Sequence, residues 1–259
     1  MIKLGIISYF TGVNYNNTQL ILDWLNNMRM FYCVDQERTF IIYTDNQQVV
    51  RLQRLFNDVV VNIVPQSQTR NRDDNLRAKF FYIQDFIEKH DGFDYISFIQ
   101  SNCRCRNRIL MRRMIDRDDV SLNVSSWFMV KRNVKFYAWG SHDIQDLYDK
   151  FDTVPYIQAG HFIGKVRRIY EVSSWINTRM TTDIQHGIYL KVHDESYLNL
   201  YFQENRFNKL TLMNGLHFLS HIQTKGEIIA VDKKKLFPRL PTISPFATID
   251  NKNGVAVIM

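Results

Sequence analysis

The segment His193-Asp194-Glu195-Ser196 carries two adjacent carboxylates, followed by the apolar residues Leu198, Tyr201 and Phe202. Those three lie at helical spacing, which puts Asp194 and Glu195 in the first turn of a helix. A helix start favours negative charge, so Glu195 tends to stay ionised. An ionised carboxylate held there suits a base or a nucleophile; the same spacing also fits a capped helix with solvated acids. A second stretch, DYISFIQSN from Asp94 to Asn102, reads as a strand that stops on Gln100, Ser101 and Asn102. Two carboxylates at such a strand end would hold a divalent ion. Two amides hold magnesium or manganese poorly, because these hard ions favour carboxylate oxygen.

The elements that must position these residues are legible from periodicity. Lys3 to Tyr9 is an apolar run ending at SYFTG and reads as a buried first strand. Ile21, Leu22, Trp24, Leu25 and Met28 mark a helix over Leu20 to Phe31. TFIIYTD is a second strand, QQVVRLQRLF a short helix and VVVNIVP a third strand. Gln66 to Asp74 reads as a polar loop, and Asn75 to Lys89 as a helix stopped at Asp91-Gly92. DYISFIQSN is the next strand. This alternation predicts a parallel sheet with crossover helices. Ligands of such sheets sit beyond the carboxyl ends of strands, here SYFTG, YTD and IQSN. Gly12 suits either close backbone approach to a ligand or a plain turn.

The second half is less regular. SSWFMV and NVKFYAW predict a strand pair, and PYIQAGHFIG a buried strand whose Gly160 suits close approach of a ligand or another backbone. Arg168 to Met180 and VHDESYLNLYF predict helices, GEIIAV a last strand, and DKKKLFPRL a basic tail. No repeat, low-complexity segment or domain boundary is evident.

The chain has 259 residues, 45% apolar and 23% charged, enough for a sizeable core. Aromatics at 14% suit stacking on a sugar or base as well as core packing. A formal charge of +7 attracts anions without choosing among nucleic acid, membrane and phosphorylated small molecules. Cys33, Cys103 and Cys105 form no disulfide framework and fit a reducing compartment, and the CxC pair has no partner at zinc spacing. MIKLGIISYF enters a strand directly, so the expectation is a cytoplasmic protein without a transmembrane segment. The Asp-x-Asp within Asp116 to Asp119 follows a basic, Met-rich stretch and is set aside as a metal site; its acids offset Arg112 and Arg113. His142, His161 and His217 each read as a packed or surface histidine before an acceptor contact.

Taken whole, HDESYLN resembles the HDES segment of glycosyltransferase family 6, the family of the animal α1,3-galactosyltransferase and the histo-blood group A and B transferases. It points to the small, metal-independent bacterial or phage-type members, which carry amides in place of Asp-x-Asp. The likeness covers most of the chain: strongest in HDESYLN, good in YIQAGHFIG and DYISFIQSN, fair in YFTGVNY and weak in the basic tail. It implies an α/β fold of the GT-A nucleotide-sugar-binding kind, a mostly parallel central sheet flanked by helices. That would be one catalytic domain over 1–259, with a nucleotide-binding half (1–105) and a donor-sugar and acceptor half (106–259).

Residue by residue, the resemblance places Phe10, Thr11 and Tyr15 against uracil and ribose, with one extra residue before Tyr15. Gln100 and Asn102 stand where the metal-binding carboxylates would be, and Gln100 departs from the Asn-x-Asn of the small metal-independent members. Gln158, Ala159 and Gly160 would line the donor sugar, a small residue at Gly160 making room for an N-acetyl group where alanine goes with galactose. Asp194 would bind donor-sugar hydroxyls and Glu195 would be the catalytic carboxylate. Val192 replaces the tryptophan that precedes HDES in the animal enzymes, so acceptor recognition should differ. Charge developing on the departing β-phosphate needs a cation. Without a metal it falls to Lys79, at the family's arginine place, with Arg77 as competitor, or to the tail residues Lys233, Lys234, Lys235 and Arg239, which by themselves read as a solvated run.

The expected function is a retaining transferase with no cofactor or metal. It would move N-acetylgalactosamine, or galactose, from its UDP-sugar to a galactose-terminated oligosaccharide or glycolipid through an α1,3 bond. The alternative is a non-catalytic sugar- or nucleotide-binding relative that has lost turnover, against which both Asp194 and Glu195 are retained. Dispersed Lys and Arg without a recognition motif argue against nucleic acid.

Overall fold

The computed structural model describes residues 1–12, 17–65, 72–105, 108–113, 120–124, 138–139, 157–187, 189–190, 193–204, 209–214, 218–224, 227–230, 246–250 and 255–258. The first half alternates as its periodicity predicts: β1 (Lys3–Phe10), α1 (Thr18–Phe31), β2 (Glu37–Thr44), a 3-10 turn (Gln47–Val50) leading into α2 (Arg51–Leu55), β3 (Val59–Ile63), α3 (Arg72–Lys89) and β4 (Tyr95–Ile99). β1 lies between β2 and β4 and is parallel to both, and β3 flanks β2 in parallel. Successive side chains of β1 point to opposite faces. Leu4, Ile6 and Phe10 pack with Ile21, Trp24, Leu25 and Met28 of α1, while Ile7 packs with Phe80, Ile83 and Phe86 of α3. Trp24 meets the Phe10 and Phe40 rings edge-on at 5.5 and 6.3 Å.

α1 starts where Asn17 caps it, its side-chain oxygen accepting from the Gln19 and Leu20 amides at 2.7 and 3.4 Å. Asn17→Ala removes an acceptor that no first-turn carboxylate replaces. Its expected cost is about 1 kcal/mol, read as a lower urea midpoint at unchanged slope.

The second half contributes β5 (Cys103–Cys105), β6 (Val120–Val124), β7 (Ala138–Trp139), β8 (Ile157–Lys165), α4 (Val166–Gln185), β9 (Tyr189–Leu190), α5 (His193–Glu204), β10 (Lys209–Asn214), β11 (Phe218–Thr224), β12 (Glu227–Ala230), β13 (Phe246–Asp250) and β14 (Val255–Ile258). The main sheet runs β14-β13-β10-β6-β8-β4-β1-β2-β3. Within it β8 and β13 oppose the other strands, so the sheet is mostly parallel. Because β8 is antiparallel to β4, its first residues lie beside the carboxyl end of β4. α5 packs on α3, α4 and β8, which brings the HDES turn to the same end.

Several boundaries differ from the sequence reading. α3 begins at Arg72, so Arg72 to Asp74 are helix and not loop; a polar opening turn carries no apolar period to read. α4 extends beyond Arg168 to Met180 at both ends. GEIIAV forms β12 but is not the last strand, since β13 and β14 follow. SSWFMV lies outside the described residues, and of NVKFYAW only Ala138–Trp139 is described, paired with β9. No described helix is long and apolar enough to cross a membrane.

Candidate active site

The carboxyl ends of β1 and β2 are tied together by polar groups. The Thr44 hydroxyl donates to the Phe10 carbonyl at 2.9 Å, and the Asn46 amide donates to the Thr44 oxygen at 3.1 Å. The Gly12 amide donates to Asp45 at 3.0 Å. Gly12 has φ 83°, a left-handed conformation that glycine adopts without a Cβ clash. The resemblance places Phe10 against uracil and ribose, a contact left to its backbone rather than its ring. That ring is fully buried on Trp24, because Phe10 falls on the α1 face of its strand. Only its backbone stands at the strand end. Thr11 is also buried, and Tyr15 lies outside the described residues.

β8 carries the feature that builds the site. Its pairing with β6 jumps from Leu122–Phe162 to Asn123–Gln158, so residues 159, 160 and 161 bulge from that ladder. Bulges re-aim side chains and free backbone groups. On its other edge β8 stays with β4: Ile99 pairs with His161, and the Gln100 amide donates to the Gly160 carbonyl at 2.8 Å. The Ala159 groups left out of that ladder find side-chain partners instead. Its N–H donates to Glu195 Oε1 at 3.3 Å, and its carbonyl accepts from Lys79 Nζ at 2.7 Å. Gln158 starts the bulge; its side chain lies outside the described ones.

α5 delivers the carboxylates in its first turn, as its sequence predicts. Asn199, one turn on, donates its side-chain amide to the Glu195 carbonyl at 2.7 Å. Asp194 is 4% exposed and makes an ion pair and hydrogen bond with Lys79, itself 3% exposed. The Lys79 ammonium also sits 4.6 Å from the Phe98 ring centroid. Glu195 is half-buried. Two neighbouring acids thus have different settings, one committed to a buried lysine and one at the rim. Tyr9, next to this pair, has its phenol pushed well above the usual tyrosine range, first by burial and then by Tyr82, Asp194 and Tyr43. It stays neutral there.

The sequence reading gives Lys79 to the departing diphosphate; in the structure this lysine is engaged by a partner on α5. Its charge is balanced by Asp194 within the protein, and burial leaves it no open face. Arg77 lies on α3 with its side chain outside the described ones. Lys233, Lys234, Lys235 and Arg239 lie outside the described residues, as do His142, His217 and the acids at 116–119.

The turn after β4 holds the two amides. The Cys103 amide donates to the Gln100 carbonyl at 2.9 Å, and Arg104 braces the turn by donating to the Ser101 and Cys103 carbonyls at 2.7 and 2.9 Å. Cys103 and Cys105 are free, buried thiols. Burial, then the neighbouring Cys103, pushes the Cys105 thiol far up, so it is no thiolate ligand. Among the described residues no three His, Cys, Asp or Glu side chains gather to hold a metal ion. His161 is fully buried, its Nε2 2.8 Å from the Tyr32 hydroxyl, which also meets Ser97 at 2.7 Å. That makes it a packed histidine. Arg104, Asn199 and Tyr9 were missed from sequence. Only the LN that follows HDES signals one of them.

The family model for glycosyltransferase family 6 matches residues 4–224. The chain belongs to glycosyltransferase family 6. No curated protein matches it significantly. The match covers β1 through β11, and so every site element described above. With the sheet order it gives this family 6 protein a GT-A-like glycosyltransferase fold. As a family 6 glycosyltransferase it transfers a sugar from a nucleotide-sugar donor to a glycan acceptor.

Proposed function

We propose that this glycosyltransferase retains anomeric configuration and works without a divalent metal. It moves N-acetylgalactosamine, or galactose as the second choice, from UDP to a galactose-terminated glycan through an α1,3 bond. The observation that carries the reading is the convergence of Glu195, Asp194 and Gly160 at the β8 bulge, next to Gln100 and beyond the carboxyl ends of β1 and β4. Open α/β sheets bind nucleotides beyond the carboxyl ends of their strands.

In this reading the nucleotide lies over the β1 and β2 ends, with Phe10 contributing backbone and Thr11 and Tyr15 nearby. The sugar lies along Gln158, Ala159 and Gly160. Asp194, fixed by Lys79, accepts from donor-sugar hydroxyls. Glu195 faces the anomeric carbon, where its charge steadies a developing oxocarbenium ion or forms a covalent glycosyl intermediate. Gln100 and Asn102 offer neutral oxygens, a weak set for magnesium or manganese. The tail cations Lys233, Lys234, Lys235 and Arg239 then balance the leaving diphosphate.

The test is UDP release from UDP-N-acetylgalactosamine and UDP-galactose, with and without lactose or fucosylated lactose, in excess EDTA. The expected outcome is acceptor-dependent release at the same rate with and without the chelator. Loss of transfer in EDTA, restored by manganese, would overturn the metal-free reading. Absence of both hydrolysis and transfer would mark a non-catalytic binder.

A further inference from the structure

Gly160 lacks a Cβ, yet the space a Cβ would take is not open. An ideal Cβ there would lie 3.1 Å from Gln100 Oε1 and 3.9 Å from Cys103 Sγ. The first distance is tighter than ordinary van der Waals contact, so the end of the Gln100 side chain already fills the notch. The two backbones cannot separate to widen it, because the Gln100 amide is bonded to the Gly160 carbonyl and Arg104 braces the turn that follows. The movable part is the Gln100 side chain. Its end is the flexible tip of a long side chain, able to turn about its own torsions while the backbones stay bonded.

We propose that Gln100 is a second determinant of donor choice, acting as a gate over the Gly160 notch. The inference rests on the reading above that Gly160 lines the donor sugar. A sugar with a hydroxyl at C2 enters with Gln100 in place. A sugar with an acetamido group at C2 enters only once the Gln100 side chain has turned away. Gly160 alone thus overstates the room for an N-acetyl group. The shape of the notch is set jointly by a residue on β8 and one just past β4, about sixty positions apart in sequence. A glutamine here does more than replace a metal ligand by a neutral group: its extra methylene carries the amide far enough to cover the glycine.

The experiment compares kcat/KM for UDP-N-acetylgalactosamine and UDP-galactose in the wild type, Gln100→Ala, Gly160→Ala and the double variant. Gln100→Ala is expected to raise the acetamido-to-hydroxyl ratio about tenfold, the scale on which one small group in a pocket discriminates substrates. Gly160→Ala alone is expected to slow both donors, because its new methyl meets Gln100. In the Gln100→Ala background the same methyl should lower the ratio selectively, so the two substitutions are not additive. Thermal stabilisation of each variant by the two UDP-sugars is expected to follow the same order. Unchanged ratios in Gln100→Ala, with turnover intact, would overturn the gate while leaving the donor reading standing. If the wild type neither binds nor turns over either UDP-sugar, the donor reading fails and the gate fails with it.

Discussion

Glu195→Gln is expected to retain UDP affinity and to lose transfer by about 10²–10³-fold or more, the scale for removing one pre-organised group that stabilises transition-state charge. The substitution is nearly isosteric. A glutamine oxygen still accepts the Ala159 N–H that Glu195 Oε1 takes at 3.3 Å, so the contact between α5 and the bulge survives. Asn199 bonds the Glu195 carbonyl, which the change does not touch. What disappears is the negative charge. A covalent intermediate needs that carboxylate as nucleophile, and a same-face attack needs it beside the cationic carbon. Both routes fail together, so the test bears on the role of Glu195 and not on the choice between routes. Acceptor-dependent UDP release and UDP binding by calorimetry are the two measurements. Turnover within about threefold of wild type, at equal UDP affinity, would remove Glu195 from the chemistry, since a charge acting on the transition state is worth far more than that factor.

Lys79→Met carries the second large effect, and it acts on stability before chemistry. Lys79 and Asp194 face each other almost wholly buried. Removing the lysine leaves a carboxylate without its counter-charge and an Ala159 carbonyl without its donor. Breaking a buried pair on one side costs about 3–5 kcal/mol, because the remaining charge keeps its desolvation penalty. The expected result is a fall of that order in urea unfolding. Asp194→Asn in the Lys79→Met background should recover part of it, since the pair is then neutral on both sides. A bystander lysine would show no such recovery. Transfer by Lys79→Met should fall even in the fraction that stays folded, because Asp194 and Ala159 share the lost partner. Loss below about 1 kcal/mol would mean that water reaches the pair and that the lysine is not the tie between α3, β8 and α5.

The parts of this fold that are legible from sequence are those where burial writes a period into the chain. α1 repeats its apolar residues at helical spacing, and β1, β2, β3 and β4 stand out as short, nearly continuous apolar runs. The carboxylates of α5 were legible for a related reason, as a helix start announces itself by acids ahead of an apolar stripe. The opening turn of α3 was lost because Arg72, Asp73 and Asp74 have no apolar member. The burial of the Phe10 ring follows from the alternation counted from Leu4 and Ile6, which puts it on the α1 face. The pairing of Lys79 with Asp194 was not legible, because its partner lies 115 positions away. The β8 bulge left only a faint trace, the glycine in QAGH, since a jump in register belongs to two strands at once. Gln100 looked like a lost ligand, and its reach over Gly160 appears only when β4 and β8 stand side by side.

The excursion of β8 has a consequence for engineering. Transplanting HDES onto another sheet would carry the acids but leave them without the amide and carbonyl that the strand releases at Ala159. The smallest portable unit is the irregular strand and its following helices, together with the lysine on α3 and the turn beyond β4. Deleting a single residue between Ile157 and Phe162 would change how many residues span that gap and turn the functional backbone groups away from their partners. Deletion scanning of that strand should therefore find a short stretch intolerant of any loss, whatever side chains it bears.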